Sequence, residues 1–310
     1  MFKMQSWFDE VKLLPWIDET KLEDMGENPN AVQYLEEHPE KIIWESLSAN
    51  PAAIKLLTKN ADKIDWSALS LNTGAIHLLE QNPDKIDWYM FSYNASGIKL
   101  LEKNLDKIDS TYFSANPSAI PFLEKHPHLI SWHVLCSNPN AIHLLERFPE
   151  KIDWYWLSSN PAAIHLLEQN LDKISWQELS KNPAAIPLLS ANPEKINWSW
   201  LSSNISAIPL LEKNLDKVNW YWLSKNPAAV KLLEANQDKI NWLKLSSNPA
   251  AVHLFEKNQE KINWFHFSQL PTIFEYDYEA MKQTGVFFEE LMQNRFHPDN
   301  LDKFESWGYE

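Results

Sequence analysis

The sequence predicts an all-α chain, an α-solenoid of eleven 22-residue two-helix repeats with helical end caps, and three observations carry the prediction. One unit, opening at Asn28, Asn50, Asn72 and onward to Asn248, recurs without insertion or deletion through residues 28–269. A fixed short period is the mark of a solenoid, whose units bury their apolar faces only against their neighbours. Each unit then holds two apolar patterns at helical spacing, and each pattern is preceded by a capping residue.

The first pattern opens on Asn at position 1 in all eleven copies, followed by Pro at position 2 in eight. Asn offers an amide oxygen to an orphan N–H at a helix start, and Pro has no N–H to leave unpaired. Ala, Ile or Val, Leu and Leu follow at positions 4, 5, 7 and 8, as in NPAAIHLLEQN from Asn160. That spacing defines one face of a helix, helix A. Asn at position 11 in eight copies predicts a left-handed C-cap. Pro121, Pro187 and Pro209 fall at position 6, where a helix begun at position 2 would need an N–H. The Asn-Pro segment is therefore expected to be a separate 3₁₀-like turn, with the α-helix starting near positions 4 to 6.

The second pattern, typically DKIDWxxLS, is capped at position 16 by Asp, Asn or Ser in ten of the eleven copies. Ile at 15 and Leu or Phe at 20 flank the cap as a hydrophobic staple, which opens helix B. Trp at position 17 forms a ladder of core residues from Trp44 to Trp264, interrupted by Ser110. Position 16 drifts among acceptors, whereas position 1 never leaves Asn. Only an amide both accepts and donates, so position 1 is expected to cap helix A and to donate to a neighbouring backbone, forming an asparagine ladder. Ser at position 21, replaced once by Cys136, is read as a local polar partner and Cys136 as a small buried serine substitute. The alternative fold, a leucine-rich-repeat-like solenoid, would need a strand of alternating apolar residues, and position 18 is mostly polar or aromatic.

Three regions follow: residues 1–27 as an N-terminal cap, 28–269 as the array, and 270–310 as a C-terminal helical cap. Upstream, Ile17, Asp18 and Leu22 echo positions 15, 16 and 20. Downstream, Leu270-Pro271 stands in place of Asn-Pro, residues 275–293 read as an amphipathic helix, and 298–307 as a shorter one. Repeat four, from Asn94, lacks the Pro, carries Gly97 at position 4 and Ser110 for the Trp, and is the candidate for a bend or an opening point.

The array and its tail resemble uncharacterised repeat proteins of nucleocytoplasmic large DNA viruses, the giant viruses of algae and amoebae. Runs such as NPAAIHLLEQN and DKIDWYWLSSN carry the resemblance, with a closing motif of Asn300, Lys303, Phe304, Trp307 and Gly308. It implies a viral gene product acting in host cytoplasm or packed in a particle, and it brings no activity and no functional residue.

A net charge of −14 opposes binding to phosphates, so nucleic acid is not the expected partner. No apolar run reaches a membrane span, the start is too charged for a signal peptide, and one cysteine fits a reducing compartment. Neither membrane insertion nor secretion is expected. His77, His143, His165 and His253 share position 6, but adjacent repeats hold them about 10 Å apart, too far to share a zinc. With no phosphate loop and no nucleophile context, neither an enzyme nor a cofactor is expected. Binding is sought where the repeat varies. Trp156, Trp200 and Trp222 at position 19, beside Tyr155 and Tyr221 at position 18, are the candidate protein-binding surface.

Overall fold

A computed structural model describes residues 11–277. The repeats follow the plan of the Asn50 unit: a 3₁₀ turn (Pro51–Ala53), helix A (Ile54–Lys59), a second 3₁₀ turn (Ala61–Lys63) and helix B (Trp66–Leu71), with a plain turn for the first element in the Asn72, Asn94 and Asn204 units and one 3₁₀ helix, Pro249–Phe255, for the first turn and helix A of the Asn248 unit. The chain is an all-α repeat solenoid. Helix A starts at position 5, so Pro121, Pro187 and Pro209 sit in its first turn, where no intrahelical N–H is needed. Position 11 corrects one expectation. Its Asn is not left-handed: Asn60 has φ −127° and ψ 49°. The side chain does the capping instead, donating from Nδ2 to the position-7 carbonyl, as Asn60 does to Leu56 at 2.9 Å.

Position 1 joins the repeats. Asn160 accepts the Ala162 N–H on Oδ1 at 3.0 Å and donates from Nδ2 to Cys136 O at 2.9 Å and Asn138 O at 3.2 Å. The same three bonds recur from Asn50 through Asn248, every one of these Asn side chains being buried. Each amide thus caps its own turn and ties down two carbonyls of the preceding junction: one, such as Asn138 O, already takes the Ala141 N–H, and the other, such as Cys136 O, has the amide as its partner. Position 21 adds a second seam: Ser70 donates to Trp66 O at 2.7 Å and accepts the N–H of the next repeat's cap, Asp87, at 3.0 Å. Cys136 takes the acceptor role from the Asp153 N–H at 3.2 Å, and burial pushes its thiol above the ordinary cysteine range. It is a structural substitute for serine, protonated and shielded.

The ladder does not stop at the ends. Asn28 donates to Ser268 O at 3.2 Å and Leu270 O at 2.9 Å, so repeat one stacks on the chain that follows repeat eleven. The solenoid is a closed ring. Its twelfth unit is composite. Leu270 to Ile273 occupy positions 1 to 4, with Pro271–Ile273 as the 3₁₀ turn and Ile273 fully buried, as Ala is at position 4 elsewhere. The rest comes from the other end of the sequence. Glu19–Lys21 forms the second 3₁₀ turn, Leu22 is buried as the position-15 Ile is, and the Glu23 N–H donates to Ser268 Oγ at 3.0 Å, the bond made by the position-16 cap in the array. Met25 fills the core place of position 20, and Gly26 O receives Asn50 as a position-21 carbonyl should. A Cβ at Gly26 would lie 2.6 Å from Leu47 N, so only glycine fits there.

Both end pieces are therefore corrected. Ile17, Asp18 and Leu22 are not positions 15, 16 and 20; the N-terminal piece skips two residues between Glu23 and Asp24, and Leu22, Glu23 and Met25 hold those places. Phe274–Tyr276 (β2) pairs antiparallel with Val11–Leu13 (β1), Lys12 opposite Glu275. The helix expected over 275–293 is thus a strand at its first two residues; its part from 278 onward, with the helix over 298–307, lies outside the described residues.

Repeat four is intact. Asn94 keeps both rungs of the ladder, at 2.9 and 3.2 Å. Gly97 is explained by its neighbour, because a Cβ there would meet the Phe91 ring at 2.6 Å. Phe91 and Gly97 pack as a pair. Gly97→Ala is expected to cost about 1–3 kcal/mol by overpacking, and Phe91→Leu in the same chain to recover most of it, as read by denaturant melts of the single and double variants.

Candidate functional site

In a ring of equivalent units, the spacing between equivalent points grows with distance from the axis. Successive helices B pack side by side, as Trp198–Ser203 does on Trp220–Lys225, and successive Pro-turns do likewise, whereas helices A of neighbouring repeats lie farther apart. Helix B is therefore the inner layer and helix A the outer one. Trp at position 17 is half-buried against the core. On its open side it is covered by the Lys at position 14 of the next repeat, as Lys85 lies 4.5 Å from the Trp66 ring centroid. This cation–π pairing recurs from Lys63 on Trp44 to Lys261 on Trp242, with Trp132 and Trp176 outside it, and across the closure Lys21 lies 5.7 Å from Trp264. Where Trp gives way to Ser110, the partner position holds Leu129, so both halves of the pair are lost together.

Positions 18 and 19 face outward from helix B, toward the inside of the ring. Tyr155 is 47% exposed, Trp156 41% and Tyr221 42%. Trp200 and Trp222 are half-buried, because the two rings lie against each other with centroids 5.4 Å apart. Lys181 Nζ sits 4.0 Å from the Trp200 ring, and Lys244 Nζ 4.9 Å from Tyr221 and 5.9 Å from Trp222. Between the two clusters, Tyr155 donates its hydroxyl to Glu178 at 3.0 Å, which raises the phenol pKa above its ordinary value. Glu178 also takes Lys181 Nζ at 2.8 Å. The five candidate residues thus form one run across repeats six to nine, bridged by Glu178, Lys181 and Lys244.

The run extends beyond them. Tyr89, Leu243 and Phe265 also stand at position 18, all about half exposed, and Tyr112 at position 19 packs tilted against Tyr89 with centroids 4.2 Å apart. The signal for these residues was in the sequence. Position 18 turns aromatic or aliphatic in five of the eleven repeats, against polar residues in the other six.

The outer face has a different character. His143, His165 and His253 each meet the position-9 Glu of the preceding repeat, at 2.6, 2.8 and 2.9 Å, and all six groups are solvent-exposed. Exposed pairs of this kind contribute little to stability. Among the described residues no group of His, Cys, Asp and Glu is arranged to hold a metal ion. A cleft of about 160 Å³ beside the closure is lined by Val11, Asn30, Pro271, Thr272, Phe274, Glu275 and Tyr276. It brings together no acid–base pair and no nucleophile with its base. Among the described residues no helix is long and apolar enough to cross a membrane.

These features define a class, a closed α-solenoid ring with an aromatic inner band. Comparison with protein-family models, curated proteins and solved structures returns no match.

Proposed function

We propose that the protein is a non-enzymatic scaffold that binds a protein partner through the aromatic band of its helices B. One observation carries the reading: Tyr155, Trp156, Trp200, Tyr221 and Trp222, with Tyr89, Leu243 and Phe265, share one layer and keep apolar surface open to solvent. A repeat that can place Ser, Gln or Thr at these positions, and does so elsewhere, gains no folding energy from exposing Trp and Tyr. Large amphipathic rings of this kind are the usual anchors of protein interfaces. The net charge of −14 favours protein over nucleic acid as the partner.

The viral resemblance sets the expected context, a viral product in host cytoplasm with a viral or host partner. A structural role in a virus particle is the alternative. It has less support where it relies on the free ends of a rod, since both ends of the array meet in the closure. Trp156→Ala and Trp222→Ala are expected to leave the melting midpoint within about 1 kcal/mol of the parent. Each is expected to cost about 2 kcal/mol or more in partner binding, a thirtyfold loss. Co-purification from infected cells, paired with melting curves, checks both. Variants that melt early yet retain every partner would make these rings core and not interface.

A further inference from the structure

We propose that the ring opens at the composite twelfth repeat, which works as a clasp while the other eleven repeats stay folded. At every other junction a peptide bond runs from one repeat to the next, so loosening the contact cannot part the ring. The closure is the one junction that no peptide bond crosses. Residues 11–27 are joined through the backbone to repeat one and 270–277 to repeat eleven, and non-covalent contacts alone join the two sides, among them the β1–β2 pairing, Lys12 to Asp277 at 3.7 Å, Leu14 N–H to Ile273 O at 3.0 Å, Glu23 N–H to Ser268 Oγ at 3.0 Å, the two Asn28 bonds, Asn30 Nδ2 to Pro271 O at 3.0 Å and the Trp16 ring against Phe267.

Among the described residues the same unit has the shortest elements. A three-residue ribbon stands where helix A begins elsewhere, and residues 22–27 form no helix where helix B belongs. Leu270 stands where the array has Asn, so no amide ties the composite unit back to Ser246 O and Asn248 O, as Asn248 is tied to Ser224 O and Asn226 O at 3.1 Å. Fewer buried contacts and shorter elements mark the segments that open below the global free energy. Opening gives a partner without a free end a route to the inner band, a consequence that rests on the proposed function; the opening itself does not.

Native-state hydrogen exchange on the full chain, read by mass spectrometry, tests the clasp. The Glu23 amide and those of β1 and β2 are expected to exchange at least about tenfold faster than the Ser175 amide, which makes the equivalent bond to Ser158 Oγ at 2.9 Å inside the array. Both sides of the clasp are expected to open with one shared rate. A Lys12→Cys, Glu275→Cys pair, placed on residues facing each other across the ribbon, should slow exchange on both sides when oxidised and restore it when reduced. Protection at Glu23 equal to that at Ser175 would overturn the proposal. So would unrelated rates for 11–27 and 270–277, which would mean independent fraying, or oxidised and reduced chains that exchange alike.

Discussion

Asn160→Asp is expected to lower the stability of the folded chain by about 3–5 kcal/mol, the scale of a buried charge left without its partner. The substitution keeps the oxygen that caps the Ala162 N–H. It removes the donor that serves Cys136 O and Asn138 O, and turns a carboxylate oxygen toward two buried carbonyls at a side chain only 1% exposed. Asn160→Ala loses the bonds without adding the charge and is expected to cost about 1–3 kcal/mol. The ordering Asp worse than Ala is the distinctive result, because at an ordinary helix cap Asp serves as well as Asn. Urea melts of the two variants beside the parent measure it. Asp tolerated like the parent would remove the donor role from position 1 and with it the reason for its invariance along the chain.

Ile273→Asp is expected to open the ring without melting the array. Ile273 is fully buried in the composite repeat, at the position that Ala fills in the array. Leaving a carboxylate buried there would cost several kcal/mol. Parting the clasp releases that cost while the eleven internal repeats keep their ladder, so helical circular dichroism should change little and the radius of gyration should rise. A variant that unfolds throughout, or one that keeps the parent's dimensions, would each contradict this outcome.

Much of this architecture was legible in the sequence because it is local. The ladder needs only Asn recurring every 22 residues, the caps need only the residue before an apolar run, and the Pro at position 6 already placed the start of helix A. The left-handed cap at position 11 was misread because Asn serves both as a residue that tolerates positive φ and as a side-chain donor. Periodicity does not tell the two apart, and Asn60 uses the second. Closure was harder to see, since it joins segments about 250 residues apart. Leu270 hides the first position of the last unit, and two missing residues shift Leu22 and Glu23 out of register with the array. What remained readable was complementarity. The C-terminal piece begins a repeat with Pro271 and Ile273 at positions 2 and 4, and the N-terminal piece finishes one at Gly26-Glu27. Of the candidate surface, Tyr155, Trp156, Trp200, Tyr221 and Trp222 were visible as departures from the repeat. The lysines over them were not, because Lys181 and Lys244 belong to different repeats from the rings they cover.

The distance between residues 12 and 275 tests the closed ring most directly. Spin labels at Lys12→Cys and Glu275→Cys, measured by pulsed dipolar spectroscopy, should report the shortest distances the method resolves, since paired strands hold facing Cα atoms about 5 Å apart. An open stack of eleven repeats spaced at helix-packing distances would separate the same labels by roughly 100 Å, and that result would contradict closure.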